Sequence, residues 1–190
     1  MTKLKTNCFN YVLGSGKVTS IEHITNEGRP LSRFFLDYNA GKISVMIYNP
    51  TEEISRLQNG DYVMVEGKLR YSTRSGSYKI MAETGVVVQM CIPLVMIILE
   101  GAVTKMDPQE EALIIDFLHV HATPEGKGYK CPIQVSFKKT AEAPIMRRYN
   151  PGDTQVILGR LHGKQLRGTN MTSTTPIYIN PPEAPNGTEK

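Results

Sequence analysis

The chain has 190 residues, of which 40% are hydrophobic, and its 22 Lys and Arg residues exceed its 18 Asp and Glu residues to give a formal net charge of +4. This hydrophobic content is sufficient for one ordinary domain or two small ones, and it excludes a chain that is disordered throughout. The small net charge excludes binding to polyanions through bulk charge alone, so any such affinity depends on where the basic residues lie.

The cysteines and the apolar segments indicate a compartment. Three cysteines without a CxxC pair argue against a disulfide framework and fit a reducing cytosol. No continuous apolar segment of the secretory type follows Met1. The most apolar stretch, residues 86–99, is interrupted by Gln89 and Pro93 and is shorter than the ~20 residues of a membrane helix. We therefore expect a cytoplasmic protein without a membrane partner, and we expect exposed parts of this stretch to support a homo-oligomer.

The first half of the chain predicts three strands in succession. Residues 11–21 (YVLGSGKVTSI) predict a strand with glycines at its centre, and residues 32–40 (SRFFLDYNA) predict one rich in aromatic residues. Alternation in residues 42–49 (KISVMIYN) predicts a third strand with Ile43, Val45 and Ile47 on its buried face.

A short helix and two more strands follow. Residues 50–58 (PTEEISRLQ) predict a turn or two of helix, which ends at Asn59-Gly60-Asp61. Residues 62–71 (YVMVEGKLRY) then predict a fourth strand, and residues 78–88 (YKIMAETGVVV) predict a fifth beyond a polar hairpin loop.

The second half repeats this order of elements. The matching segments are 96–106 (MIILEGAVTKM), 112–122 (ALIIDFLHVHA), 131–139 (CPIQVSFKK), the helical 140–149 (TAEAPIMRRY), 154–163 (TQVILGRLHG) and, after a loop, 175–182 (TPIYINPP). Five short strands with a helix after the third suit a small closed barrel. Glycines are expected where a strand coils or another backbone approaches closely, at Gly14, Gly16, Gly67, Gly101 and Gly159.

This pattern resembles the oligonucleotide/oligosaccharide-binding (OB) fold. The segments NGD-YVMVEGKLR and GSYKIMAE resemble single-stranded DNA-binding proteins of bacteria, phages and plasmids, most closely over residues 31–88. The resemblance implies an all-β chain of two tandem five-stranded OB barrels, each with a short helix after strand three. We expect the barrels at residues 1–92 and 93–182, packed together, and a flexible tail at 183–190. The pattern is more specific for fold than for ligand, because OB barrels also bind proteins and sugars.

An OB barrel binds its ligand across strands two and three, between the loops joining strands one to two and four to five. The four-to-five loop here, KLRYSTRSGSYK, contains bases and tyrosines but no acid; cations attract phosphates and flat side chains stack on unpaired bases. We therefore expect nucleic-acid contacts from Lys68, Arg70, Tyr71, Arg74, Tyr78 and Lys79 in this loop, and from Arg33, Phe35, Tyr48 and additionally Tyr38 on the groove face.

The predicted site depends on the register of strand two and on how far the second half contributes. Phe34 and Leu36 point inward in our assignment, although a register slip of one residue would exchange the two sets. The equivalent loop of the second half, GRLHGKQLRGTN, has Arg160, Lys164 and Arg167 but no aromatic residue, so it is expected to contact phosphates only. A solvated basic hairpin without a ligand is the alternative interpretation.

Catalytic and metal chemistry find no support in the sequence. A phosphate loop ending at Lys17 would need a further glycine where Tyr11 stands and a Ser or Thr where Val18 stands, so the motif is not met. His119 and His121 share a strand face without further ligands, so we expect surface histidines and no metal. There is no GxSxG elbow and no recognisable catalytic cysteine. We expect no enzyme activity and no cofactor.

The sequence thus predicts a largely sequence-independent single-stranded DNA-binding protein of DNA replication, recombination or repair, with replication or recombination proteins as partners. Two alternatives remain open: a protein-interaction scaffold within a nucleoprotein complex, and a single-stranded RNA binder. Bacterial proteins of this type stack bases on tryptophan and end in an acidic tail. This chain has no tryptophan and ends PPEAPNGTEK, which puts recruitment of enzymes through the terminus in doubt.

Overall fold

The computed structural model describes residues 9–122, 128–162 and 165–173. What we call the first half contains β1 (Asn10–Asn26), β2 (Arg29–Tyr38), β3 (Gly41–Tyr48), α1 (Glu52–Ser55), β4 (Tyr62–Ser72) and β5 (Ser77–Val88). The second half contains β6 (Leu94–Pro108), β7 (Ala112–Ala122), β8 (Gly128–Lys138), α2 (Glu142–Arg148), β9 (Thr154–His162) and β10 (Gln165–Ser173). No helix of the described residues has the length and apolar character needed to cross a bilayer.

The strands of the first half close into a five-stranded barrel. β1 pairs with β2, β2 with β3, and β4 with β5 and β1, all antiparallel. The parallel pairing of β3 with β5 completes the ring. This closed barrel is consistent with the OB fold predicted from the sequence.

Alternating burial explains why these segments form barrel strands. Phe34 and Leu36 of β2 are fully buried, as are Val45 of β3 and Ile80 of β5. Their sequence neighbours on each strand point outward, because successive side chains of a strand face opposite sides of the sheet. The register assigned to β2 is confirmed, and the predicted inward face of β3 is confirmed by the burial of Ile43, Val45 and Ile47.

Close approach of another strand's backbone explains why Gly16 and Gly67 are glycines. A Cβ atom on Gly16 would lie 2.1 Å from the carbonyl oxygen of Asp37, where β1 bends between β4 and β2. One on Gly67 would lie 2.2 Å from the carbonyl oxygen of Met81. The expectation of close approach at these positions is therefore confirmed.

The second half has the same order of pairings. β6 pairs with β7 and β9, β7 with β8, and β9 with β10, all antiparallel, and β8 pairs with β10 in parallel. Inward residues of β8, including Ile133, Val135 and Phe137, are buried.

The two halves are joined edge to edge. Residues 10–15 of β1 pair with residues 94–99 of β6 in an antiparallel ladder, while β1 also pairs with β4 and β6 also pairs with β9. The outer sheet of the first half therefore continues into the second half through hydrogen-bonded strands.

The last described strand of the second half begins earlier than the fifth strand that we predicted. β10 starts at Gln165, directly after β9, whereas the sequence placed a loop there and a strand at 175–182. Leu166 is buried at 1% exposure and Gly168 packs against the ring of Phe137, so this strand contributes to the interior of the second half. The segment 175–182 and the tail at 183–190 lie outside the described residues.

Candidate nucleic-acid interface

Outward-facing side chains of the first half form two rows across β2, β3, β5 and β4. Strand register places Arg33 beside Met46, Met46 beside Met81, and Met81 beside Lys68. The second row is formed in the same way by Phe35, Ser44, Lys79 and Arg70. Each row thus combines an apolar or aromatic side chain with cations.

Two exposed aromatic rings lie on this face. Phe35 is 43% exposed and Tyr48 is 36% exposed, whereas the neighbouring Phe34 is fully buried. The phenol oxygen of Tyr48 accepts a hydrogen bond from the Asn26 side chain at 2.9 Å, which orients the ring at the end of β3. Tyr38, the additional candidate, is wrong for this role, because it lies inside the barrel at 5% exposure.

The cations at the ends of the first row are paired with acids. A nitrogen of the Arg33 guanidinium lies 2.5 Å from a Glu22 carboxylate oxygen, and the Lys68 ammonium lies 2.7 Å from that of Glu83. All four side chains are close to half exposed or more. Exposed pairs of this kind are weak, so a phosphate can compete with the carboxylates for these cations.

The predicted four-to-five loop is mostly strand. Lys68, Arg70 and Tyr71 belong to β4 and Tyr78 and Lys79 to β5, which leaves residues 73–76 as the turn. Arg74 is exposed in this turn. The ladder between β4 and β5 continues to the turn, since each residue from Lys68 to Ser72 has a partner on β5.

A shallow groove of about 510 Å³ runs along the outer side of this β4–β5 hairpin. It is lined by Lys68, Arg70, Tyr71, Ser72, Thr73, Arg74, Lys79, Met81, Ala82 and Glu83. The basic residues predicted for this hairpin therefore all contribute to one concave surface, together with the one acid Glu83.

The hairpin tyrosines alternate with Arg70 and Lys79 along β4 and β5, and of the two only Tyr71 also lines the groove. Tyr71 and Tyr78 are direct cross-strand partners whose ring centroids are 5.3 Å apart, and both pack against the core. The Tyr78 hydroxyl donates to the carbonyl oxygen of Pro132 in β8 at 2.8 Å. The structure therefore does not bring the tyrosine pair together with Phe35 and Tyr48 on one stacking surface.

The second half presents a different outer face. Arg160 and Arg167 are exposed cross-strand partners on β9 and β10, so both occupy strands and not the loop that the sequence suggested. At the register position of Phe35 this half has Asp116, whose carboxylate accepts a 3.4 Å hydrogen bond from Gln134. Lys164 lies outside the described residues.

Met46 and Met81 were missed by the sequence reasoning. Both are partly exposed and adjacent at the centre of the first row. The available signal was the alternation of β3, which placed Met46 on the outer face. Thioethers are flexible and polarisable and pack well against aromatic rings, which suits an adaptable contact with a base.

His119 was expected at the surface, and this was wrong. Its side chain is fully buried, with Nδ1 2.7 Å from the carbonyl oxygen of Glu100 and Nε2 3.2 Å from Nδ2 of Asn10. The polar neighbours explain how an imidazole is accommodated in the interior. Within the described part of the chain, no group of three or more His, Cys, Asp or Glu is arranged to hold a metal.

Comparison with solved structures identifies the fold. Wild-type single-stranded DNA binding protein from Thermus aquaticus matches with a TM-score of 0.66 and 16% identity over 90% of this chain and 95% of that chain. A deletion mutant of the same protein matches with a TM-score of 0.66 and 16% identity over 94% of this chain and 99% of that one. This chain has the OB fold of those proteins.

Other comparisons add little. The N-terminal domain of PriB protein from Thermoanaerobacter tencongensis is 27% identical over 43% of this chain and 98% of that one, but its TM-score of 0.36 is too low to support an argument. No protein-family model matches the sequence, and no curated protein matches it significantly. The resemblance stated from the sequence is thus confirmed for the fold.

Proposed function

We propose that this chain binds single-stranded DNA across the outer face of its first half, with little dependence on base sequence. The observation on which the proposal rests is the second row, where the half-exposed ring of Phe35 and the cations Lys79 and Arg70 occupy one continuous face. Stacking and phosphate attraction are the two contributions that single-strand binding requires. The fold shared with the Thermus aquaticus protein supports the same ligand class.

Weak sequence preference follows from the chemistry of the face. A ring and a thioether contact any base, and Lys and Arg attract any phosphate. Arg160 and Arg167 provide a further pair of exposed cations in the second half, where Asp116 replaces the aromatic ring. We infer that the first half contacts bases and that the second half adds phosphate contacts.

The remaining parts of the proposal concern organisation and role. The matching order of pairings supports two tandem OB barrels with a boundary near residue 92 and a short helix after strand three of each. We propose a non-catalytic cytoplasmic protein that covers single strands during DNA replication, recombination or repair, alongside proteins of those processes.

Self-association is a further part of the proposal. The outer side of the sheet that joins the halves presents Met64 at 39% and Val86 at 56% exposure, and Met90 in the connection after β5 is 82% exposed. An apolar surface of this kind favours association with a second copy. Light scattering across a range of protein concentrations measures it.

A titration tests the function. Fluorescence anisotropy with labelled single-stranded DNA, single-stranded RNA and duplex DNA of ~15 and ~30 nucleotides is measured at low and moderate salt. We expect single-stranded DNA to bind most tightly, with affinity that falls steeply as salt increases. Preference for RNA would favour the RNA-binding alternative. Weak, length-independent binding to all three would contradict the proposal and favour the protein-interaction scaffold.

A further inference from the structure

The β5 strand of the β4–β5 hairpin is attached to the second half. The Tyr78 hydroxyl donates to the Pro132 carbonyl oxygen of β8 at 2.8 Å, and Tyr71 packs beside Tyr78. Both tyrosines are partly buried against the core. A two-stranded hairpin is only marginally stable by itself, so this contact with β8 gives it support that its own ladder lacks.

The β4 strand has a second attachment, through Asn10. The Asn10 side-chain amide donates to the carbonyl oxygen of Leu69 at 2.9 Å and accepts from the Leu69 backbone N–H at 2.9 Å. The same Nδ2 atom lies 3.2 Å from Nε2 of the buried His119 on β7. Because Nδ1 of His119 faces the Glu100 carbonyl oxygen, the contacts fit the tautomer in which Nδ1 is protonated and Nε2 accepts.

Cys131 of β8 lies directly beneath the hairpin. Burial raises the pKa of its thiol to about 12, while the charge of Arg70 and a hydrogen bond with the Tyr71 backbone act in the opposite direction. The hairpin residues Arg70 and Tyr71 are therefore close to this fully buried side chain. The hairpin contacts the second half at Pro132, at Cys131 and, through Asn10, at His119.

We propose that Tyr78 and Asn10 are positioning residues, which hold the β4–β5 hairpin against the second half so that Arg70 and Lys79 are preset for a phosphate backbone. The proposal rests on the proposed function. Tyr71 and Tyr78 are the immediate sequence neighbours of Arg70 and Lys79, so fixing the tyrosines on one side fixes the cations on the other. A site that is ordered before binding avoids the entropy cost of ordering it on binding.

The test uses the full chain with Tyr78→Phe, which removes one hydroxyl and no charge. Tyr62→Phe is the matched control, because Tyr62 lies at the far end of β4 from the turn. We expect Tyr78→Phe to accelerate amide hydrogen exchange in residues 71–78. We also expect it to weaken binding of a ~30-nucleotide oligothymidine about two- to tenfold, the range of one neutral hydrogen bond, without changing the salt dependence. Tyr62→Phe should match the wild type in both measurements.

The two readouts separate the outcomes. Faster exchange with unchanged affinity would overturn the positioning role, and unchanged exchange would overturn the attachment itself. Failure of the wild-type chain to bind the oligonucleotide would overturn the proposed function and the positioning role with it, whereas exchange would still report on the attachment. Asn10→Ala, with its folding confirmed by thermal melting, removes the second attachment and should produce the same two effects.

Discussion

Replacing Phe35 with Ala tests the proposed stacking surface most directly. The ring is 43% exposed, beside Ser44 and in the row that ends at Lys79 and Arg70. Loss of one base–aromatic stack costs about 1–3 kcal/mol, which weakens binding about 5- to 150-fold. Because the ring has no charge, the slope of affinity against salt should stay the same. Arg70→Ala should instead make the fall of log affinity with log salt less steep, by about 0.7 for each single-strand phosphate that the side chain no longer neutralises.

The adjacent residue supplies the control. Phe34 is fully buried, so Phe34→Leu should lower the free energy of unfolding by about 1 kcal/mol while the folded protein keeps its affinity. Anisotropy titration with single-stranded DNA at two salt concentrations and urea unfolding of both variants provide the measurements. Phe35 has no stacking role if Phe35→Ala binds as tightly as the wild type, or if Phe34→Leu produces the larger loss of affinity after correction for the folded fraction.

Two further substitutions test the electrostatics and the barrel. Glu83→Gln releases Lys68 from an exposed ion pair and should tighten DNA binding at low salt by up to about fivefold, and weaker binding in the titration would refute this. Gly67→Ala would place a Cβ atom 2.2 Å from the carbonyl oxygen of Met81 and should lower the free energy of unfolding by about 3 kcal/mol; an unchanged urea midpoint would contradict the close packing there.

The outer face of β2 and β3 was predictable because its signal is local. Alternation alone separates Phe34 from Phe35 and places Val45 inside, and burial agrees with both assignments. The bends of β1 and β4 were readable from their glycines for a similar reason, since only a residue without a side chain tolerates so close a neighbour.

The hairpin tyrosines were not predictable in this way. Alternation places Tyr71 on the same side as Leu69, but what covers that side beyond the end of the barrel is β8, more than fifty residues away in sequence. His119 was misjudged for a related reason, because its polar partners include Asn10 from the first half. Contacts between the two halves produce no periodic pattern of hydrophobic residues in the sequence of either half.

The ladder between β1 and β6 also bears on how the two proposed nucleic-acid faces act together. Six consecutive residue pairs join the halves, so neither face can reorient without breaking backbone hydrogen bonds. For two sites joined by a flexible linker, avidity changes gradually with linker length, whereas sites at a fixed separation require a ligand long enough to span them. Affinity should therefore rise abruptly at the oligonucleotide length that first reaches from Phe35 to Arg167.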